Sequence, residues 1–257
     1  MGLPPAQVNV PQLVALEALW CGAADFGSED ATEGCFCGDA GAFVIKKTDV
    51  HPELPHCEWF CSSLALSTGV PQVPFSVVHH TDGNYWFGSK WMNGKTQDWW
   101  NLARRGTIDF AALSEDFSRI YALDLFIHNV DRHANNFMVV PDGSSHKVLS
   151  FDYSRSWLVL GFPPPNEIMI DADIPTVNVK NWLKANFGNY ISVNAANEVL
   201  DRIGAIDTAS VRRIIDSHPR DWLTQANDDA IISWWDSGMA LARVNAIKTG
   251  LHNGTLV

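Results

Sequence analysis

The chain has 257 residues, of which 46% are hydrophobic and 18% charged, and a formal net charge of -11. That is long and apolar enough for a real core, as one large domain or two lobes, and it excludes a disordered chain. The acid excess argues against a nucleic-acid backbone as the main partner. No apolar run reaches bilayer length, and the N-terminus lacks a basic region followed by an apolar core, so the expectation is a soluble cytoplasmic protein.

Cys21, Cys35, Cys37, Cys57 and Cys61 all lie in the first quarter of the chain. Neither Cys-x-Cys nor Cys-x-x-x-Cys is a usual zinc spacing, although His51 and His56 keep zinc open as a minor option. Reduced, buried or half-buried thiols are expected.

In chain order, residues 13–20 (LVALEALW) fit helix or strand, and 21–34 read as a loop rich in Gly, Ala and acids. Its backbone amides could approach a phosphate, but Asp25, Glu29, Asp30 and Glu33 would repel one. Residues 35–37 and 42–46 read as a hairpin around a Gly-containing turn, ending in Lys46-Lys47; side chains alternate along a strand, so only one of these lysines can face a cleft. Glu58 opens an amphipathic run to Leu66, stopped by Gly69-Val70-Pro71. Two more strands, 75–79 and 85–92, flank Asp82-Gly83-Asn84, and Asn93-Gly94 marks a turn.

From Thr96 the pattern is helical: 98–102, 109–113 and 115–129, the last largely apolar from Ile120 to Val130. A polar cluster follows, Asp131-Arg132-His133-Ala134-Asn135-Asn136. Then come strand 137–140, the turn Pro141-Asp142-Gly143, strand 147–151 and another acid, Asp152. A Pro-rich turn at 162–166 precedes Ile168-Met169-Ile170 with Asp171 and Asp173. Short helices are expected at 182–187, 193–203, 209–215 and 222–226. A long final helix from Asn227 carries Ile231, Trp234, Trp235, Met239, Ala242 and Val244 as a core stripe.

Asp131 precedes Asn136 by five residues and Asp152 by twenty-one. A carboxylate for a nucleophile, followed by an amide oxygen and a second carboxylate for magnesium, is the order of a phosphotransferase centre. The sequence Asp-Arg-His-x-x-Asn, then a hairpin and an Asp, resembles the phosphatidylinositol 3-/4-kinase-like branch of the protein-kinase-like fold. It is most similar to short bacterial HipA-like kinases, over most of residues 13–160.

The resemblance implies a two-lobed α+β protein, with an antiparallel β lobe and one helix at 1–93 and a mostly helical catalytic lobe at 94–257. It implies ATP and Mg2+ between the lobes. Lys46, with Lys47 as runner-up, would reach the phosphates, held by Glu58. Trp91, Met92 and Asn93 would form the adenine-binding hinge. Asp131 would orient the acceptor hydroxyl, Arg132 would buttress the loop or meet a phosphate, and Asn136 and Asp152 would hold magnesium. His133 would take part in proton transfer or, by preference, play a structural role with its ring hydrogen-bonded near the metal.

One departure is Tyr153-Ser154 after the second metal acid, where protein kinases have Phe-Gly. The chain is also too short for the extra N-terminal subdomain of full-length HipA proteins, which puts antitoxin and DNA partners in doubt. The implied activity is transfer of the γ-phosphate to a Ser/Thr hydroxyl of a protein, or of the chain itself at a loop serine such as Ser28. The alternatives are a small-molecule or lipid kinase with the same centre, and a nucleotide-binding pseudokinase acting as an interaction module.

Overall fold

The computed structural model describes residues 14–24, 26, 30–31, 33–94 and 98–257. Ser28, Asp25, Glu29, Leu13 and Thr96, named above, lie outside these. The N-terminal part forms β1 (Leu16–Glu17), β2 (Trp20–Ala23), β3 (Glu33–Phe36), β4 (Ala42–Lys46), α1 (Leu54–Thr68), β5 (Phe75–His79) and β6 (Tyr85–Lys90). The strands make one sheet in the order β1-β5-β6-β4-β3-β2, antiparallel except for the β1–β5 pair. The ambiguous stretch at 13–20 is thus extended where it is described.

Alternation along the strands gives the sheet two faces. Cys35, Phe43, Ile45, Val78 and Trp86 pack together in one cluster. Val77 and Phe87 belong instead to the main core with α1, where the Trp59 ring meets Phe75 at 5.1 Å. Lys46 pairs with Phe87 and so shares the α1 face. Lys47 follows on the opposite face, over the Trp86 ring and in an ion pair with Glu33.

α1 begins four residues before Glu58, with a proline in its first turn, and ends at Gly69 in the left-handed conformation (φ 75°). Of its residues only Leu66 and Ser67 escape burial. A helix buried all round has no polar stripe to mark its limits, which is why the apolar period placed its start late.

One expectation for the cysteines needs correction. Cys21 and Cys35 face each other across β2 and β3 and form a disulfide, so these two are not reduced thiols. Local spacing hid the pair, because the partners come together only when the chain between them turns back on itself. Cys37, Cys57 and Cys61 are free and buried. His56, named above with the zinc option, is fully buried against His218, with Nδ1 to Nε2 at 2.6 Å, and among the described residues neither His51 nor His56 joins a group of three or more metal-ligating side chains.

The rest comprises α2 (Trp99–Arg104), α3 (Phe110–Ile127), the hairpin β7 (Phe137–Asp142) and β8 (Ser145–Ser150), and then α4 (Trp157–Leu160), α5 (Pro175–Phe187), α6 (Val193–Gly204), α7 (Thr208–Asp216), α8 (Gln225–Asp236) and α9 (Met239–His252). α3 is one helix rather than two, capped by the Asp109 side chain on the Ala111 amide. The long final helix is two: Gly238, at φ 79°, caps α9, and Met239 and Ala242 are exposed rather than core. α6, α7 and α8 start at Ser192, Asp207 and Thr224, each accepting an amide hydrogen bond. The main core runs without interruption from α1 through α3 to α9.

Candidate active site

Three elements bring the sequence-predicted ionisable residues together. β4 supplies Lys46 and α1 supplies Glu58. The end of β8 supplies Asp152, and that end is tied to the segment after α1 by Ser150 N to Pro71 O (2.9 Å) and Val73 N to Ser150 O (3.0 Å). Lys46 Nζ lies 2.5 Å from Glu58 Oε1 and 2.6 Å from Asp152 Oδ1. The second Glu58 tie is the Tyr153 amide, which donates to Oε1 at 2.9 Å. Ser154 donates its hydroxyl to Asp152 Oδ1 at 2.7 Å. Tyr153-Ser154 therefore holds both acids, one through a backbone amide and one through a side chain.

The electrostatics follow from one ammonium shared by two buried carboxylates. Burial disfavours the Lys46 charge, but Asp152 and Glu58 raise it above the ordinary lysine value. Burial also works against an ionised Asp152, yet Lys46 and Ser154 hold it well below the usual carboxylate range. Glu58 is pushed up by burial, with Lys46 opposing. The contact geometry favours an ionised triad, since Lys46 donates to both acids. Such a triad carries excess negative charge, which a cation would offset. Asp152 sits at φ 64°, a left-handed conformation costly for most side chains but tolerated by Asp and Asn.

The polar cluster at 131–136 is held from beneath by a residue the sequence reading passed over. Asp124, buried in the last turns of α3, takes a two-pronged bond from Arg132: Nε to Oδ2 and Nη2 to Oδ1, both 2.9 Å. The remaining Arg132 nitrogen donates to Asn136 O at 3.0 Å and to Phe151 O. Arg132 is 1% exposed, so it buttresses the loop and is closed off from a phosphate. Its planar fork ties together α3, the residue before β7 and the residue after β8. The signal in the sequence was an acid inside an apolar helix, a residue type almost never buried unless paired. Arg243 of α9 adds a second brace, donating to the Phe126 and Leu125 carbonyls at 2.7 and 2.8 Å.

Asn136 is buried and donates its amide nitrogen to Asp131 O at 3.1 Å. Its side-chain oxygen is thereby oriented as the acceptor, the group a hard cation takes. Asp131 is half-buried; burial raises its carboxyl, His133 opposes, and the Asp152 carboxylate raises it further. His133 is exposed, which does not match the buried, satisfied ring preferred from sequence. Asn136 and Asp152 thus offer hard oxygen donors beside excess negative charge, a donor set that fits magnesium.

Of the hinge candidates, Trp91 is 56% exposed, its amide donates to Ala42 O at 2.8 Å, and its ring lies 5.5 Å from Phe26. Met92 packs against Val73, Met138, Val140 and Leu149, together with Phe151. Asn93 is exposed and leads into Gly94, where a Cβ would overlap Met138 and come within 2.9 Å of Val140 Cγ1. Met138 and Phe151, which sequence alone gives as ordinary strand residues, are the neighbours of the hinge candidate Met92 in this apolar cluster.

No protein-family model and no curated protein matches the chain by sequence. Its structure is similar to that of the Helicobacter pylori proinflammatory kinase CtkA, with a TM-score of 0.56 and 12% identity over 90% of this chain and 98% of that one. A weaker likeness, TM-score 0.47 at 12% identity, is to HipA of Shewanella oneidensis MR-1, in its toxin–antitoxin complex with HipB and operator DNA; it covers 80% of this chain and 57% of that one. The mixed α+β fold of this chain, a six-stranded sheet with one helix followed by a hairpin and a helical remainder, is the kinase-like fold it shares with the kinase CtkA.

Proposed function

We propose that the protein is an ATP- and Mg2+-dependent phosphotransferase that moves the γ-phosphate to a Ser/Thr hydroxyl of a protein. The observation that carries this reading is the Lys46–Glu58–Asp152 triad, with its 2.5 and 2.6 Å contacts, set beside Asn136 and Asp131. In this reading residues 1–93 and 94–257 act as two lobes around the nucleotide. The chemistry takes place in the cytoplasm, where ATP is abundant. No described helix is long and apolar enough to cross a membrane.

Bound Mg2+·ATP would supply an electrophilic phosphorus with its charge offset by the metal. Asn136 Oδ1 and the Asp152 carboxylate would hold the cation. Lys46 would exchange its Asp152 contact for phosphate oxygens while Glu58 keeps it aimed. Met92, Met138 and Phe151 would pack against adenine. Asp131 would orient the acceptor hydroxyl and take its proton, a role suited to a carboxyl whose affinity for protons burial has raised. Exposed His133 would lie on the acceptor side, free to contact the incoming substrate.

The test is thermal shift with ATP and Mg2+, followed by radiolabelled phosphate transfer to a protein mixture, on the native chain and on Asp131→Asn and Asp152→Asn. Magnesium-dependent stabilisation and transfer in the native chain are expected. Absence of any magnesium-dependent nucleotide effect would sink the reading, and binding without transfer would point to a nucleotide-binding interaction module.

A further inference from the structure

Tyr153-Ser154 stands where protein kinases carry Phe-Gly, so this chain has a hydroxyl at a position that in them has no side chain. Ser154 is buried, and its hydroxyl donates to Asp152 Oδ1 at 2.7 Å while its amide reaches the same oxygen at 3.3 Å. Lys46 Nζ lies 2.6 Å from that oxygen too. Three donors converge on Oδ1, and among the described residues no hydrogen bond or ion pair reaches Oδ2. The Asp152 side chain still keeps 19% of its surface open. The segment that carries Ser154 is fixed independently of Asp152. The Tyr153 amide donates to Glu58 Oε1 at 2.9 Å, the Tyr153 hydroxyl lies 2.8 Å from Ser150 Oγ, and the Ser156 hydroxyl donates to Tyr153 O at 2.6 Å. The buried Tyr153 ring lies under the Arg132 guanidinium at 5.1 Å.

A carboxylate does not choose between its two oxygens by its own torsion, because rotation about the Cβ–Cγ bond is broad and two-fold. Its hydrogen-bond partners choose. Here Lys46 and Ser154 choose together, both at Oδ1. In the phosphotransferase reading Lys46 leaves that oxygen for phosphate when nucleotide arrives, and Ser154 is then the one side chain still bonded to it. We propose that Ser154 is a positioning residue: its hydroxyl keeps Oδ1 occupied after Lys46 has turned to the phosphates, and so presents Oδ2 to magnesium. The proposal deepens the phosphotransferase reading and rests on it. A hydroxyl suits this task because it is neutral. It fixes the carboxylate plane without cancelling the charge that attracts the cation, as an ammonium would.

The test compares the native chain with Ser154→Ala and Ser154→Thr. The Mg2+ concentration that gives half of the ATP-induced thermal stabilisation is read at fixed ATP, ATP binding in EDTA is measured by calorimetry, and phosphate transfer is followed against Mg2+. Ser154→Ala should raise the Mg2+ half-point roughly 10- to 100-fold, the usual loss when the partner of a ligating group is removed. ATP binding in EDTA should not change, and transfer should respond through the KM for Mg2+ rather than through kcat. Ser154→Thr keeps the hydroxyl and should stay near the native half-point. A native half-point in Ser154→Ala overturns the proposal. So does an equal loss of ATP binding with and without Mg2+, which a merely structural role would give, and so does a Ser154→Thr half-point as high as that of Ser154→Ala. If Ser154→Ala does not fold, Ser154→Cys, of similar shape but a weak donor, takes its place in the comparison. If the native chain itself shows no Mg2+-dependent nucleotide effect, the phosphotransferase reading falls and the positioning role with it. A full native response that Ser154→Ala leaves unchanged removes the positioning role alone.

Discussion

At the scale of single residues, the proposed function divides binding from proton transfer between different side chains, and mutations should do the same. Asp131 has no contact with Lys46, whereas Asp152 is bonded to it at 2.6 Å. Asp131→Asn keeps the side-chain shape and removes the proton acceptor. Phosphate transfer should fall by about 10²- to 10⁴-fold, the usual contribution of a positioned general base, with Mg2+·ATP stabilisation intact by thermal shift. Asp152→Asn tolerates the left-handed backbone at φ 64° but loses the carboxylate, so the magnesium-dependent shift itself should disappear. A variant pair in which transfer and nucleotide stabilisation fell together at both positions would contradict this division. At Gly94 the constraint is steric: the methyl of Gly94→Ala would overlap Met138 and crowd Val140. Overpacking of this kind costs about 1–3 kcal/mol, measurable as a lower denaturant midpoint.

At the scale of elements, the sequence carried the hairpin β7–β8 and the order Lys46, Glu58, Asp131, Asn136, Asp152, because these depend on local turn chemistry and on residue types rarely placed together. It did not carry the limits of α1, where burial on all sides erases the periodicity that marks a helix. Nor did it show the break between α8 and α9, where Gly238 was in view but the apolar stripe ran across it. The Cys21–Cys35 pair and the Asp124–Arg132 brace are contacts between separate segments, invisible to spacing. The brace is also where α3 meets the polar cluster at 131–136, and both partners are 1% exposed at their side chains. Asp124→Asn would leave a buried guanidinium without its carboxylate, a loss on the order of 3–5 kcal/mol. Urea unfolding should show it as a shifted midpoint. An effect below about 1 kcal/mol, the range of an exposed ion pair, would mean that water reaches this site.

At the scale of the whole molecule, α1 is the element on which the N-terminal sheet and the C-terminal helices converge, and its packing contains a titratable pair. His218 Nδ1 donates to Pro219 O at 2.7 Å, so Nε2 is the acceptor for His56 Nδ1–H at 2.6 Å. His56 Nε2 is then left buried with no partner among the described residues. Trp222 stacks on His218 and Phe60 lies against His56. Both rings are therefore neutral in the fold. Burial, reinforced by His218, lowers His56. Burial also lowers His218 to about 4, against the Pro219 carbonyl and the nearby Asp221 and Asp216, which favour its proton, and with Arg220 disfavouring it. The unfolded chain titrates its histidines near the ordinary 6.5. Between about pH 6.5 and 4 the unfolded state therefore binds more protons than the native one, and stability falls as pH falls through that window. For His218 alone the full loss is about 3 kcal/mol, and it begins above the range where carboxylates protonate. Denaturant midpoints should decline between pH 6.5 and 5 in the native chain. The decline over that interval should flatten in His56→Phe/His218→Leu, which removes both proton acceptors and leaves Asp216, Asp221 and Arg220 in place. An equally steep decline in the double variant would assign the acid sensitivity to other groups and separate it from the junction at α1.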